Sequence, residues 1–210
     1  MLAVLVAAGQ QPTKEFAMRF FEQADLKIAV DGGLFLFEEC RVLPDLLLGD
    51  MDSVDSSLLK RYADQEIPLY CVPPEKNETD GMLALDTAIK RGADRIVFLG
   101  ATGGRIDHLL SNLMLLKRAY RQNVRLLICD ERQEITLEKD DFKIMGTAGQ
   151  TVSLIPMDER ACVTAYEGLY YPLDSLVLTN DQPRGVSNVL TGTCARLKSE
   201  GYVLVIKNME

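Results

Sequence analysis

Two aspartates one residue apart, Asp50 and Asp52 in "LLLGDMDS", directly follow a run of three leucines, and a third, Asp80, closes "KNETD". Oxygen donors of this kind suit a hard divalent cation such as Mg2+, which takes one or two carboxylates and completes its shell with water and phosphate oxygens. Each aspartate alone also reads as an ordinary feature, a polar residue in a strand-to-helix turn or a carboxylate complementing a helix dipole. Their recurrence adds weight to the first reading, because carboxylates converging on one sheet edge repel unless a cation or protons compensate. A further stretch, "GATGGRIDH" from Gly100 to His108, sets Gly103 and Gly104 ahead of a helical pattern, where backbone N–H groups can face a phosphate. Arg105 adds a planar fork for phosphate oxygens. The same stretch also reads as a structural turn in which Arg105 and Asp107 pair at a helix start. His108, the only histidine, is as compatible with capping or packing as with catalysis, and it leaves no His-rich metal site to be built.

These residues meet only if the chain between them folds as repeating units. Through about residue 130, short apolar runs alternate with segments of helical periodicity, the pattern of βα units around a mostly parallel sheet. Strands are predicted at Leu2–Ala8, Lys27–Val30, Leu46–Leu48, Leu69–Val72, Arg95–Leu99 and Val124–Cys129. One helix is predicted over 79–91, and another over 106–120 with Leu109, Leu110, Leu113, Met114 and Leu116 as its apolar side. Open parallel sheets collect ligands beyond the carboxyl ends of their strands. Asp31 with Gly32-Gly33, the Gly49–Ser53 turn, Thr79-Asp80 and the glycine-rich segment each follow a predicted strand.

After Asp130 the helical pattern gives way to "EITLE", "FKIMG", "TVSLIP", "CVTAY", "TCARLKS" and "YVLVIK", separated by Gly, Pro, Asn and Asp. The expected fold is therefore an α/β N-terminal domain with a mostly parallel sheet, residues 1–130, followed by a smaller antiparallel β-sandwich or barrel domain, residues 131–210. Formal charge −8 disfavours a broad grip on nucleic acid or an anionic membrane. Five scattered cysteines without zinc-ligand spacing fit a reducing cytoplasm, and the apolar start "MLAVLVAAG" is too short to cross a bilayer. Tyr166, Tyr170 and Tyr171 can stack on a flat cationic ring, though such residues more often sit in a core or interface.

Taken in order, "DGG" at Asp31, "PDLLLGDMDS", "KNETD", "GATGGRIDH", "GLYYPL" and "GVSN" at Gly185–Asn188 resemble the bacterial thiamine pyrophosphokinases, also called thiamine diphosphokinases. The resemblance runs through the whole chain. It implies a catalytic, nucleotide-binding first domain, a thiamine-binding and dimerising β-sandwich second domain, and a homodimer. The implied reaction moves the diphosphoryl group of ATP to the hydroxyethyl oxygen of thiamine, giving thiamine diphosphate and AMP with Mg2+. By the same resemblance, Asp50, Asp52 and Asp80 are the magnesium carboxylates and, with Arg105, the catalytic set. Asp31, Thr102, Gly103, Gly104, Arg105 and Asp107 bind the nucleotide, and Ser187 and Asn188 help to hold thiamine. The chain departs from many relatives in having Val189 after that pair and no tryptophan. A diphosphokinase acting on another alcohol, such as a hydroxymethylpterin, and a non-catalytic sensing module remain as alternatives at this stage.

Overall fold

The apolar runs of the first half, too short for helices, form the strands of a parallel sheet. In the computed structural model, which describes residues 1–50, 54–71, 78–182 and 184–209, the chain divides into two compact units, Met1–Glu131 and Arg132–Glu210. The first contains β1 (Leu2–Val6), β2 (Leu26–Val30), β3 (Leu46–Gly49), β4 (Leu69–Cys71), β5 (Arg95–Leu99) and β6 (Arg125–Cys129). They lie in the order β4-β3-β2-β1-β5-β6, all parallel. The order reverses between β1 and β5, so the loops leaving these two neighbours diverge and open a crevice at their carboxyl ends.

Helices α1 (Lys14–Phe21), α2 (Leu34–Cys40), α3 (Ser56–Ala63), α4 (Asp80–Lys90) and α5 (Ile106–Arg121) connect the strands. Thr13, Asp55 and Thr79 cap α1, α3 and α4 by accepting from amides of the first turn. Val4, Val6, Ala29, Leu47 and Val97 pack against Phe21 of α1, Leu34 and Phe37 of α2 and Leu58 of α3. The Phe21 and Phe37 rings lie 4.7 Å apart. Among the described residues no helix is long and apolar enough to cross a membrane.

The structure sets α5 at a different rotation from the one periodicity predicts. Leu115, Leu116 and Ala119 are buried, whereas Leu110 and Met114 are 51% and 56% exposed. The inward stripe runs through positions 107, 108, 111, 112, 115, 116 and 119. Its first two turns face a cleft and carry Asp107, His108, Ser111 and Asn112, so only its second half is apolar. A count of leucines therefore misplaces the face.

The second unit is antiparallel throughout: β7 (Gln133–Met145), β8 (Thr151–Pro156), β9 (Arg160–Glu167), β10 (Leu176–Thr179), β11 (Asn188–Val189) and β12 (Cys194–Asn208). Four of the expected short strands are in fact two long ones, "EITLE" with "FKIMG" in β7 and "TCARLKS" with "YVLVIK" in β12. The breaks read from sequence are bends, at Asp140 (φ 58°) and Gly201 (φ 111°), with a register shift between Ser199 and Val203. The first half of β12 pairs with β9 and its second half with β8, while β7 follows it along both. Two bent strands thus serve both sheets of the sandwich. Phe142, Ile144, Leu154, Val163, Leu178 and Leu197 fill its core.

The rotation of α5 has a measurable consequence. Leu115→Ala, at a site 5% exposed that the periodic face leaves out, is expected to cost about 2–5 kcal/mol of unfolding free energy in urea, and Leu110→Ala at most about 0.5 kcal/mol. The reverse ranking would restore the face that periodicity assigns.

Candidate active site

A cleft of about 710 Å³ lies beyond the carboxyl ends of β1, β2, β3 and β5. Its acidic wall comes from three elements. Asp31 follows β2 with φ 46°, an uncommon left-handed conformation for a residue with a side chain. Its carboxylate lies over the end of β3, where a Cβ on Gly49 would come 1.7 Å from Asp31 Oδ1. Only a residue without a side chain, here also at φ 138°, leaves that carboxylate room beside Asp50. Asp80 opens α4 behind its cap, in which Thr79 Oγ1 accepts from Met82 N at 3.3 Å. Asp31, Asp50 and Asp80 all line the cleft. Asp52 lies outside the described residues, as do Lys76 and Asn77 of "KNETD". Among the described residues no three His, Cys, Asp or Glu side chains stand close enough together to hold a metal ion. The donor chemistry nonetheless suits Mg2+, since every acidic group on this wall offers hard carboxylate oxygens.

The opposite wall is the turn from β5 into α5. Gly103 and Gly104 both have positive φ, 71° and 63°, and among the described residues no side chain caps α5. Apart from the His108 amide, which donates to Asp107 Oδ1 at 3.0 Å, the first amides of α5 and those of the turn are therefore suited to an anion. The turn is fixed from outside. Gly9 N donates to Gly100 O at 2.8 Å and Gln10 N to Thr102 O at 2.6 Å. The Thr102 hydroxyl donates to the buried carboxylate of Asp130 at 2.9 Å, so Thr102 shapes the turn and its hydroxyl is already engaged. Arg105 grips Asp107 through both carboxylate oxygens, at 3.1 and 2.6 Å. Those hydrogen bonds hold the Asp107 carboxyl below the usual carboxylate range and raise the Arg105 guanidinium. Both side chains are well exposed, so the pair orients the guanidinium at the mouth of the cleft and adds little stability.

In the second unit, Asn188 is buried and its amide is spent on backbone. Oδ1 accepts from Tyr171 N at 3.1 Å and Val189 N at 2.8 Å, and Nδ2 donates to Tyr171 O at 2.9 Å. Ser187 is exposed at φ 60°, with its amide on Ser153 Oγ. Tyr170 and Tyr171 stand edge to face, 5.0 Å between centroids, and are 67% and 57% exposed. These tyrosines therefore lie outside the core, which leaves the interface and ring-stacking readings. Tyr166 is exposed as well.

A family model described as the thiamin pyrophosphokinase catalytic domain matches residues 17–128, and one described as the thiamin pyrophosphokinase vitamin B1 binding domain matches residues 132–204. The chain belongs to the thiamine pyrophosphokinase family. Thiamine pyrophosphokinase of Bacillus subtilis is 27% identical over 215 residues, covering 98% of each chain. The crystal structure of the Bacillus subtilis enzyme superimposes with a TM-score of 0.87 at 26% identity, over the whole of both chains. The thiamin pyrophosphokinase of Geobacillus thermodenitrificans gives 0.85 at 28% identity, covering 100% of this chain and 98% of that one. The chain is thus an enzyme of the thiamine pyrophosphokinase class, with its catalytic domain ahead of its vitamin B1 binding domain.

Sequence reasoning missed the part of this site that belongs to β1. It searched beyond four strands and passed over "AAGQQ", although Ala7, Ala8 and Gly9 line the cleft. Small residues after an apolar run were the available signal. Asp130 and Asn112 gave none, since each acts through a contact across the fold.

Asn188→Ala strips three hydrogen bonds from the Tyr171 and Val189 backbone and is expected to lower the stability of the second domain by about 2–3 kcal/mol in denaturant unfolding. Asn188→Asp keeps the acceptor for both amides but sets a buried carboxylate against Tyr171 O, and should destabilise as well. Equal stability of all three proteins would show that the loop is held some other way.

Proposed function

We propose that the enzyme transfers the β,γ-diphosphoryl group of ATP to the hydroxyethyl oxygen of thiamine, forming thiamine diphosphate and AMP with Mg2+. The observation that carries this reading is the pairing, in one cleft, of a carboxylate wall (Asp31, Asp50, Asp80) with an amide-rich turn at Gly103-Gly104 and the Arg105 guanidinium. A polyphosphate needs donors for its oxygens and a counter-charge for its length, and the two walls offer a place for each.

In this mechanism the thiamine hydroxyl oxygen attacks the β-phosphorus. The bond from that phosphorus to the oxygen shared with the α-phosphate breaks, and AMP leaves with the oxygen. The hydroxyl proton passes to a carboxylate of the cleft or to water. Transfer of this kind depends on positioning and on spreading charge more than on a strong base. The amides of Gly103 and Gly104 and the N-terminus of α5 bind phosphate oxygens, and Arg105, aimed by Asp107, clamps them. Asp50 and Asp80, with Asp52, would hold Mg2+, which when bound neutralises phosphate charge and draws the diphosphoryl oxygens to the acidic wall. Thiamine falls to the second domain, with Ser187 and the exposed tyrosines as contacts and Asn188 as the residue that fixes their loop. We further infer a cytoplasmic homodimer. Among the described residues Cys40, Cys162 and Cys194 are free thiols, and a second unit of roughly 80 residues is small enough to gain from association.

Incubation with ATP, Mg2+ and thiamine should release AMP and thiamine diphosphate in equal amounts. ADP with thiamine monophosphate, or turnover only with a different alcohol, would overturn the assignment. Asp50→Ala and Asp80→Ala should each lose about 10²–10³ in rate while remaining folded, and near-normal turnover in both would remove the acidic wall from the mechanism.

A further inference from the structure

Asn112 lies one turn inside α5 and has no counterpart in the phosphate-binding roles assigned above. Its side chain is half-buried and lines the cleft between the two walls. Nδ2 donates to Ala101 O at 2.9 Å, the carbonyl just before Thr102 in the glycine-rich turn. Oδ1 faces the other way, against the first turn of α4, where a Cβ on Gly81 would come within 2.9 Å of it. Gly81 directly follows Asp80. One planar amide therefore touches the loop that offers amides to phosphate and the helix start that carries a carboxylate. At the far end of the same helix pair, Arg118 holds Asp86 through Nε and Nη2, both at 2.7 Å, so α4 and α5 are tied at one end by an ion pair and at the cleft end by Asn112.

We propose that Asn112 is a positioning residue that sets the separation between Asp80 and the Gly103-Gly104 turn, and so the span available to the polyphosphate. The inference rests on the proposed diphosphokinase reading and adds to it a residue that need not touch substrate. Leucine or alanine at position 112 would leave Ala101 O without its partner and let α4 settle closer to α5. Aspartate would keep the shape but set a carboxylate against a carbonyl. Gly81→Ala pushes on the same contact from the other helix.

The test uses the full chain, comparing wild type with Asn112→Asp, Asn112→Ala and Gly81→Ala. Melting temperature, the ATP dissociation constant with Mg2+ in the absence of thiamine, and kcat and KM for thiamine are measured on each. A misplacement on the order of 1 Å can cost about 100-fold in rate. The expected result is at least about a tenfold fall in kcat and about a tenfold weaker ATP affinity, with KM for thiamine unchanged, in variants that melt lower but remain folded at the assay temperature. Wild-type kcat and ATP affinity in the folded variants would overturn the proposal. So would a loss confined to melting, since a packing residue lowers the folded fraction without changing turnover per folded molecule. If the wild-type enzyme makes no AMP with thiamine, the diphosphokinase reading fails, while the ATP dissociation constants still decide the role of Asn112.

Discussion

The backbone pairing between the loops that leave β1 and β5 is the constraint on which the cleft depends. Parallel strands end with their amides and carbonyls still to be satisfied, and at a switch point the following loops run apart. Here the ladder continues past the strand ends: Ala7 N donates to Leu99 O at 2.9 Å, Gly9 N to Gly100 O and Gln10 N to Thr102 O. The glycine-rich turn is consequently held by main chain on one side, by Asp130 through Thr102 beneath, and by Asn112 on the third side. A loop built mainly of glycine and small residues would otherwise lose much entropy on ordering around a ligand. Fixing it in the folded chain moves that cost from binding to folding.

With the turn fixed, the charge arrangement follows. The chain is acidic as a whole, so an anion approaching the cleft meets a repulsive field. The amide-rich turn and Arg105 are local donors set against that field, and the carboxylates across from them favour a cation accompanying the anion. In the proposed reading, the two walls would favour a phosphate chain that carries its own divalent ion over a bare anion. The fold keeps the walls apart by seating them on different elements, strand ends and α4 on one side and the β5–α5 turn on the other.

Much of this was legible in the residues, because the strands of a parallel sheet are continuous apolar runs and the polar groups that follow them stand out. The six strands of the first domain fall within a few residues of their predicted positions, and Asp31, Asp50, Asp80 and the Gly103–Arg105 turn do reach one cleft. What was illegible depends on tertiary register. Strand order is not written locally, so the contribution of Gly9 and its neighbours could not be assigned. The inward face of α5 changes from polar to apolar where the helix leaves the cleft, which defeats a periodicity argument based on leucine. In the second domain, Asp140 and Gly201 bend strands that their composition suggests they should end. Asn188 is assigned to the thiamine pocket by the family resemblance alone; its part in supporting the loop, through burial and three bonds to backbone, depends on the tertiary fold and gives no signal in the sequence.

The central proposal is that the cleft binds a polyphosphate more tightly with a divalent cation than without it, one wall serving the phosphate oxygens and the other the ion. Calorimetric titration of the full chain with ATP, without thiamine, in excess Mg2+ and again in chelator, tests it most directly. The account predicts binding in Mg2+ that weakens by at least about tenfold, some 1.4 kcal/mol, when the ion is removed. Equal affinity in the two titrations would contradict it.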